Sequence, residues 1–335
     1  MSGNNKFSGA SGTRGMVAPE LLPLLDVLPS FDFNEEVLRA IRVGAPVAKQ
    51  MKPPPLSPEQ QAVACEQRFI PGPPGAPDVR VLVYTPSRKN DGTSRPAYLH
   101  IHGGGYVLGN PELNDGSNRS LAAELDCVVV SVDYRLAPET RFPGAVEDCY
   151  AALIWLHATA EALGVDRTRI AIGGESAGGG HAAALALLVR QRGGAQLCLQ
   201  LLDSAMLDDR TGTTSDPHPH CGEFVWTPTS NRFGWRSLLG AEPGGPDVPA
   251  VAVPARAADL SGLPPAFMAV GALDLFLEEN IEYARRLIRA GVATELHVIP
   301  GAFHGFTVAG EYSPQGRDYM RLRRDALARA LAPNR

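Results

Sequence analysis

Short apolar segments alternate with longer amphipathic ones along most of this chain. Residues 63–70 and 79–84 alternate apolar with polar positions on either side of a turn-rich stretch, which predicts a β-hairpin. Residues 127–132 form a continuous β-branched run, which is typical of a strand buried on both faces of a sheet. Similar apolar runs predict further strands at 97–101, 169–173, 197–202, 266–270 and 294–299.

Helical patterns fill most of the spaces between these strands, at 143–163, 177–192, 278–290 and 317–332. This alternation predicts an α/β fold with a mostly parallel central sheet, helices on both faces and right-handed connections. Two regions depart from it. Two amphipathic pieces at 19–28 and 34–43 precede the first strand, and residues 203–245 carry prolines, aromatic residues and one helical segment at 229–239.

One segment points to chemistry. Arg169-Ile-Ala-Ile-Gly-Gly-Glu-Ser-Ala-Gly-Gly-Gly180 runs from a strand through glycines into an alanine-rich helix, with Ser176 at the turn. A serine hydroxyl must stand clear of its surroundings to act as a nucleophile, and Gly174 and Gly178 leave room for the tight turn that this requires. Taken alone, the pattern at 174–178 also fits an ordinary glycine-rich loop.

Two further features favour the catalytic interpretation. His102-Gly-Gly-Gly-Tyr106 follows the predicted strand 97–101 and matches the oxyanion motif that accompanies this kind of turn. Asp274 and His304 follow later strands, in the order serine, aspartate, histidine. Because loops that follow parallel strands meet at one edge of the sheet, the three side chains are expected to converge.

The sequence resembles the bacterial hormone-sensitive-lipase-like (family IV) esterases of the α/β-hydrolase superfamily, from about residue 60 to the C-terminus. The resemblance rests on five segments: His102-Gly-Gly-Gly105, Asp133-Tyr-Arg-Leu-Ala-Pro-Glu139, Gly174-Glu-Ser-Ala-Gly-Gly179, Gly271-Ala-Leu-Asp274 and Phe303-His-Gly-Phe306. It implies the α/β-hydrolase fold and a helical cap, meaning helices that cover the active site.

These patterns and the resemblance together predict the domain organisation. A catalytic core is expected at 60–204 and 246–335, and a cap insertion at 205–245. Residues 1–50 would supply an N-terminal tail and further cap helices. The alternative for the N-terminal pieces is that they pack on the outside of the core.

The catalytic triad is expected to be Ser176, Asp274 and His304. His304 would take the proton from Ser176 and return it to the leaving alcohol, while Asp274 would fix the tautomer of the histidine. The residues after Asp274 depart from the usual family pattern, which raises Glu278 as a rival acid. Glu278 and Glu279 are otherwise interpreted as favourable charges in the first turn of a helix.

Motif matching implicates the backbone NH groups of Gly104, Gly105 and Ala177 in an oxyanion hole. His102 and Gly103 are expected to support that loop, and His102 is not itself expected to be catalytic.

Three charged residues near these motifs have supporting interpretations. Glu175 stands where the family usually has aspartate, and it could orient nearby loops or form a solvated wall of the pocket. Asp133 and Arg135 are interpreted as structural, as an ion pair or hydrogen-bond anchor that supports the oxyanion loop. His100 is interpreted as an ordinary packing or surface residue.

The region 203–245 offers two weaker signals. His218, His220 and Cys221 lie close together but lack a metal-ligand spacing, so neither a metal nor another cofactor is predicted. Four aromatic residues either line an acyl or aryl pocket or form the core of the cap: Phe224, Trp226, Phe233 and Trp235.

Composition narrows the partners and the compartment. The chain has 335 residues, of which 44% are hydrophobic, and a net charge of -5 without a basic cluster, which argues against nucleic acid or an anionic membrane as a partner. The five cysteines show no paired spacing, which predicts reduced thiols in a cytoplasmic protein. Residues 1–15 are polar and lack the apolar region of a signal peptide.

The predicted function is a serine carboxylesterase that hydrolyses short-chain acyl esters through an acyl-enzyme intermediate. The same triad could instead cleave amides, formamides or lactones, because pocket shape decides the substrate. A hormone-binding role, known for relatives that lack a triad member, is a further alternative. The resemblance also makes a homodimer possible.

Overall fold

The computed structural model describes residues 12–28, 32–44, 55–87, 93–213 and 217–333. Its centre is an eight-stranded sheet, with β1 Ala64–Ile70, β2 Val79–Thr85, β3 Arg95–Ile101, β4 Val128–Asp133, β5 Val165–Glu175, β6 Leu199–Asp203, β7 Ala266–Gly271 and β8 Thr294–Ile299. The strands lie in the order β1-β2-β4-β3-β5-β6-β7-β8. β2 is antiparallel to both β1 and β4, and every other pair is parallel. The predicted mostly parallel sheet is confirmed.

Helices cover both faces of this sheet: α1 Glu35–Arg42, α2 Pro58–Gln61, α3 Asp115–Leu125, α4 Gly144–Ala158, α5 Ala177–Arg192, α6 Pro228–Leu239, α7 Leu277–Arg289 and α8 Pro314–Ala330. α4, α5 and α7 bury their apolar residues in the core on one face. α3 and α8 do so on the other face. Short 3-10 helices lie at Arg14–Met16, Pro19–Asp26, Pro111–Asn114, Pro254–Arg256 and Phe306–Tyr312.

α3, α4 and β5 differ most from the sequence prediction, and the short helix α2 was also not predicted. α3 was missed, because its first turn reads Asp-Gly-Ser-Asn, residues that disfavour helix interiors, and packing against the sheet and α8 overrides them. α4 ends at Ala158, five residues before the predicted end at 163, and turn residues follow it. β5 begins at Val165, in a polar stretch that joins the sheet because Val165 pairs with Arg95 of β3.

The two N-terminal pieces pack at different places. Leu21, in the helix Pro19–Asp26, is completely buried in the same core cluster as Phe303. Leu38 of α1 packs instead with Val107 and Phe233, next to the predicted oxyanion loop. The first piece therefore contacts the core, and the second joins this loop to α6. The predicted region 1–50 also contains 1–11, 29–31 and 45–50, which lie outside the described residues.

Candidate active site

Ser176 lies at the sharp turn between β5 and α5. Its φ of 56° is positive, a conformation that non-glycine residues rarely adopt. A Cβ atom added to Gly174 or to Gly178 would lie 2.0 Å from the carbonyl oxygen of Ile101. Both positions therefore require glycine, because the end of β3 passes directly against the turn.

Ser176, His304 and Asp274 form a continuous chain of hydrogen bonds. The Ser176 hydroxyl lies 3.0 Å from His304 Nε2, and His304 Nδ1 lies 2.9 Å from Asp274 Oδ2. Asp274 follows β7 and also accepts from the Phe276 amide at 3.0 Å. Asp274 is completely buried, and the other two side chains are nearly so. The structure thus brings together three residues that the sequence spreads over 128 positions.

The rival acid Glu278 lies on the exposed side of α7, whereas Asp274 contacts His304 directly. Glu279, the next residue, is buried, and burial raises its pKa well above the usual value. Both glutamates lie in the first turn of α7, as the sequence analysis expected.

The sequence analysis missed a second use of this first turn. Glu279 accepts from the Leu207 amide at 2.6 Å, and Asn280 donates to the Ala205 carbonyl at 2.8 Å. The amide of Met206, which lies between Ala205 and Leu207, donates to the Ser176 carbonyl at 3.0 Å. In the sequence, only the two polar residues Glu279 and Asn280 beside the apolar face of α7 pointed to this role. The start of α7 therefore holds the segment against which the serine turn rests.

The glycines of the predicted oxyanion loop lie against this turn. Gly104 and Gly105 have φ values of 128° and 59°, and the chain here is too crowded for larger residues. A Cβ on Gly105 would lie 2.1 Å from the Trp226 ring, and one on Gly103 would lie 2.9 Å from the Glu175 carbonyl oxygen. In the part of the chain that the structure describes, no acceptor contacts the amides of Gly104 and Gly105.

His102 is buried beneath this loop. Its Nδ1 atom donates to the Gly103 carbonyl at 2.8 Å, and its ring stacks on Tyr134 with centroids 4.2 Å apart. Tyr134 in turn donates to the His102 carbonyl at 2.8 Å. Burial lowers the pKa of His102 to about 4, so the ring is neutral at neutral pH. These contacts fix the backbone on which the glycines lie.

Asp133 and Arg135 do not pair with each other, and each forms an ion pair with a residue of another element. Asp133 pairs with Arg80 of β2 at 2.7 Å. Arg135 pairs with the buried Asp148 of α4, also at 2.7 Å. The two residues are adjacent to Tyr134 on either side, so each anchors the segment that follows β4 to a different element.

The four aromatic residues of the region 203–245 are all buried, and they separate into two groups. Phe224 packs on Phe303, Phe233 packs near α1, and Trp235 packs on Tyr106. Trp226 alone has ring contacts to His304, at a centroid distance of 6.4 Å, as well as its contact with Gly105.

His218, His220 and Cys221 do not converge on a common point. The His220 amide donates to His218 Nδ1 at 3.1 Å, and the Cys221 thiol donates to the Ala272 carbonyl. Among the residues that the structure describes, no three potential ligands come close enough to hold a metal ion.

Comparison with known proteins places this arrangement in a family. A family model described as the alpha/beta hydrolase fold matches residues 98–308. Esterase LipI of Mycobacterium tuberculosis is 34% identical, over 87% of this chain and 88% of that protein. Ethyl acetate hydrolase of Pseudomonas putida is also 34% identical, over 75% of this chain and 78% of that protein.

A solved structure named Bacterial Heroin Esterase has the same fold. Its sequence is 37% identical to this one, and the match covers 96% of this chain and 99% of the chain in that structure, with a TM-score of 0.83. The family match includes β4 to β8 and the three residues of the candidate site, and the solved structure covers nearly the whole chain. The chain therefore belongs to the hormone-sensitive-lipase-like family of α/β-hydrolases.

Proposed function

We propose that this protein is a carboxylesterase that hydrolyses short-chain acyl esters, with Ser176, His304 and Asp274 as its catalytic triad. The observation that carries the proposal is the chain of contacts from the Ser176 hydroxyl through His304 to Asp274, with heavy-atom distances of 3.0 and 2.9 Å. Hydrogen bonds of this length connect nucleophile, base and orienting acid in hydrolases of this kind.

The geometry supports the following reaction. His304 Nε2 takes the proton of Ser176 as the serine oxygen attacks the ester carbonyl, and the carbonyl electrons move to the oxygen. The tetrahedral intermediate collapses, and His304 gives its proton to the leaving alcohol. Water, deprotonated by His304, then attacks the acyl-enzyme, and as the second tetrahedral intermediate collapses His304 returns this proton to the Ser176 oxygen and the acid is released. Asp274 accepts a hydrogen bond from the Nδ1–H group throughout, without becoming protonated itself, and stabilises the imidazolium.

The amides of Gly104, Gly105 and Ala177 are proposed to bind the oxyanion. Ala177 is the first residue of α5, where a helix leaves its NH groups without internal acceptors. Gly104 and Gly105 lie in the loop that packs on the turn at Ser176. The loss of one such donor typically lowers kcat by about a hundredfold or more.

Restriction of the pocket by a cap supports the preference for short acyl chains. Phe33, just before α1, packs on Trp226, and its amide donates to Ser230 of α6 at 3.0 Å. We therefore propose that residues 205–245 form a cap together with α1, beside the core at 60–204 and 246–335. The name of one relative, Ethyl acetate hydrolase, refers to a small ester, which is in line with this proposal.

Two further proposals concern location and assembly. In the described ranges, no helix has the length and apolar character needed to cross a membrane. The cysteines are unpaired, and two of them, Cys127 and Cys149, are buried, which supports a cytoplasmic location. A homodimer stays a prediction, which sedimentation velocity would decide.

The proposed function is tested by hydrolysis of chromogenic esters from acetyl to palmitoyl. We expect the wild type to prefer short chains and Ser176→Ala and Asp274→Asn each to lower kcat by about 10⁴-fold or more. Glu278→Gln, which changes an exposed carboxylate four residues from Asp274, is the control and should retain activity.

Either of two results would contradict the proposal. A wild type inactive on the whole series would exclude ester hydrolysis and direct the search to amides, lactones or binding. Loss of activity in Glu278→Gln with retention in Asp274→Asn would assign the acid to Glu278.

A further inference from the structure

Glu175 immediately precedes the nucleophile, and its side chain turns towards the neighbouring strand. Glu175 Oε2 lies 3.2 Å from His100 Nε2. The Glu175 side chain is 28% exposed, whereas the His100 side chain is completely buried. Because a carboxylate only accepts hydrogen bonds, His100 Nε2 carries the proton in this contact.

The His100 ring is held from its other side. Its Nδ1 atom lies 2.8 Å from Ser131 Oγ of β4 and 3.3 Å from Asn118 Nδ2 of α3. Both partners are completely buried. With three contacts on its two nitrogens, the ring is a rigid anchor within the sheet and not an ordinary packing residue.

The contact between Glu175 and His100 joins the two strands that carry the proposed oxyanion hole. β3 and β5 are adjacent and parallel, and Ile101 lies opposite Gly174. β3 continues into the loop with Gly104 and Gly105, whereas β5 continues through Ser176 into Ala177. The side-chain hydrogen bond therefore lies at the point from which both groups of NH donors diverge.

Glu175 also lies close to the oxyanion loop. A Cβ atom on Gly103 would lie 3.4 Å from Glu175 Cγ as well as 2.9 Å from its carbonyl oxygen. The loop thus packs on the stem of the same side chain whose carboxylate contacts His100. A shorter side chain would alter both contacts together.

The charges around Glu175 keep it ionised. Burial alone would raise its pKa, but the interaction and hydrogen bond with His100, together with the charge of Arg323 of α8, lower the pKa to about 2. Asp203 of β6 is an acidic group close enough to interact with it, and burial and this interaction both raise the pKa of Asp203. The hydrogen bond to His100 is consequently present across the pH range in which an esterase would be assayed.

We propose that Glu175 is a positioning residue, whose hydrogen bond to His100 sets the spacing between the amides of Gly104 and Gly105 and that of Ala177. The inference rests on the proposed ester hydrolysis. It also explains why a glutamate is present where the resembled family usually has aspartate. The additional methylene group extends the carboxylate by about 1.5 Å towards His100.

Two substitutions of Glu175 separate the effect of side-chain length from the effect of the negative charge. Glu175→Asp keeps the charge but shortens the reach, and we expect kcat to fall about tenfold with KM within twofold, because misplaced donors act on the transition state. Glu175→Gln keeps an acceptor at the same reach and should retain kcat within about threefold. Glu278→Asp is the matched control at an exposed site and should match the wild type.

The affinity for a boronic acid inhibitor is a second measurement, and it would not change if Glu175 only stabilised the fold. A boronic acid bound to Ser176 places an oxygen in the oxyanion hole, so Glu175→Asp should weaken its binding by the same factor as kcat. Ser131→Ala, which removes one contact of the His100 ring far from the loop, should produce a smaller decrease in both quantities. This second variant keeps the test decisive if Glu175→Asp fails to fold.

Three outcomes would overturn the inference. Unchanged kcat and boronate affinity in Glu175→Asp, with only a lower melting temperature, would make the contact structural. A decrease in Glu175→Gln as large as in Glu175→Asp, with a shifted pH profile, would show that charge matters and reach does not. Absence of ester hydrolysis by the wild type would overturn the proposed function and this inference with it.

Discussion

The indole of Trp226 contacts both the oxyanion loop and the proposed catalytic histidine. Its ring edge rests on Gly105, its centroid lies 6.4 Å from that of His304, and Phe33 covers its other side at 5.5 Å. The side chain is only 6% exposed. A large, buried ring at this position limits the space beside the reacting carbonyl and would set the size of the group that fits there.

Trp226→Leu should therefore shift substrate preference towards longer or bulkier esters. We expect the ratio of kcat/KM for octanoyl to acetyl esters to rise about tenfold, since in a hydrophobic pocket even one extra or missing methylene group is worth about 1–3 kcal/mol. Trp235→Phe is the control, because Trp235 packs on Tyr106 and not on His304. Equal ratios in the wild type and Trp226→Leu would show that another surface limits the acyl group.

At the scale of elements, α1 is tied to the chain beyond the oxyanion loop through Arg42. Its Nη2 atom donates to the carbonyls of Val107 and Ala137, both at 2.8 Å. It also pairs with Glu139. A helix of only eight residues has little stability of its own, so this guanidinium and the packing of Leu38 keep it in place.

Arg42→Ala should loosen α1 and the loop together. We expect the free energy of unfolding to fall by about 1.5–3 kcal/mol, the range for hydrogen bonds to charged groups, with a several-fold decrease in kcat/KM. Arg39→Ala is the control in the same helix, because Arg39 is exposed and its side chain has no hydrogen bond within the described residues. Urea denaturation and ester hydrolysis measure the two effects. Equal stability of both variants would contradict the role of Arg42.

At the scale of the whole molecule, two buried neutral histidines link stability to pH. Burial lowers the pKa of His102 to about 4 and that of His181 to about 3. Both would titrate near 6.5 in the unfolded chain. Below about pH 6.5 the unfolded chain therefore binds more protons than the native protein, and the free energy of unfolding falls as the pH falls towards about 4.

Replacement of His181 should reduce this loss. Between pH 7.5 and pH 5, we expect the decrease in the free energy of unfolding to be smaller by about 2 kcal/mol in His181→Gln than in the wild type. His181 packs between Tyr106 and Tyr134, so the variant is expected to be less stable at pH 7.5. Urea denaturation at both pH values gives the comparison, and parallel decreases in the two proteins would exclude His181 as a source of the pH dependence.

The strands and the serine turn were predictable because their signals are local. A run of β-branched residues specifies β4 wherever it packs, and glycines on either side of Ser176 suit a tight turn whatever surrounds it. The positions of Ser176, Asp274 and His304, each after a predicted parallel strand, also implied that they would meet at one edge. α3 could not be predicted in this way, since only contacts with the sheet and α8 outweigh its weak helical sequence.

The sequence by itself determined the mostly parallel sheet, the turn at Ser176 and the identity of the residues that could form a triad, because these follow from short-range pattern and chain order. Only the tertiary structure decided which partners the charged and aromatic side chains have. Asp133 pairs with Arg80, Glu175 reaches His100, and Trp226 rests on Gly105, each across 50 or more positions. Such contacts depend on distances between strands and loops, which local sequence does not encode.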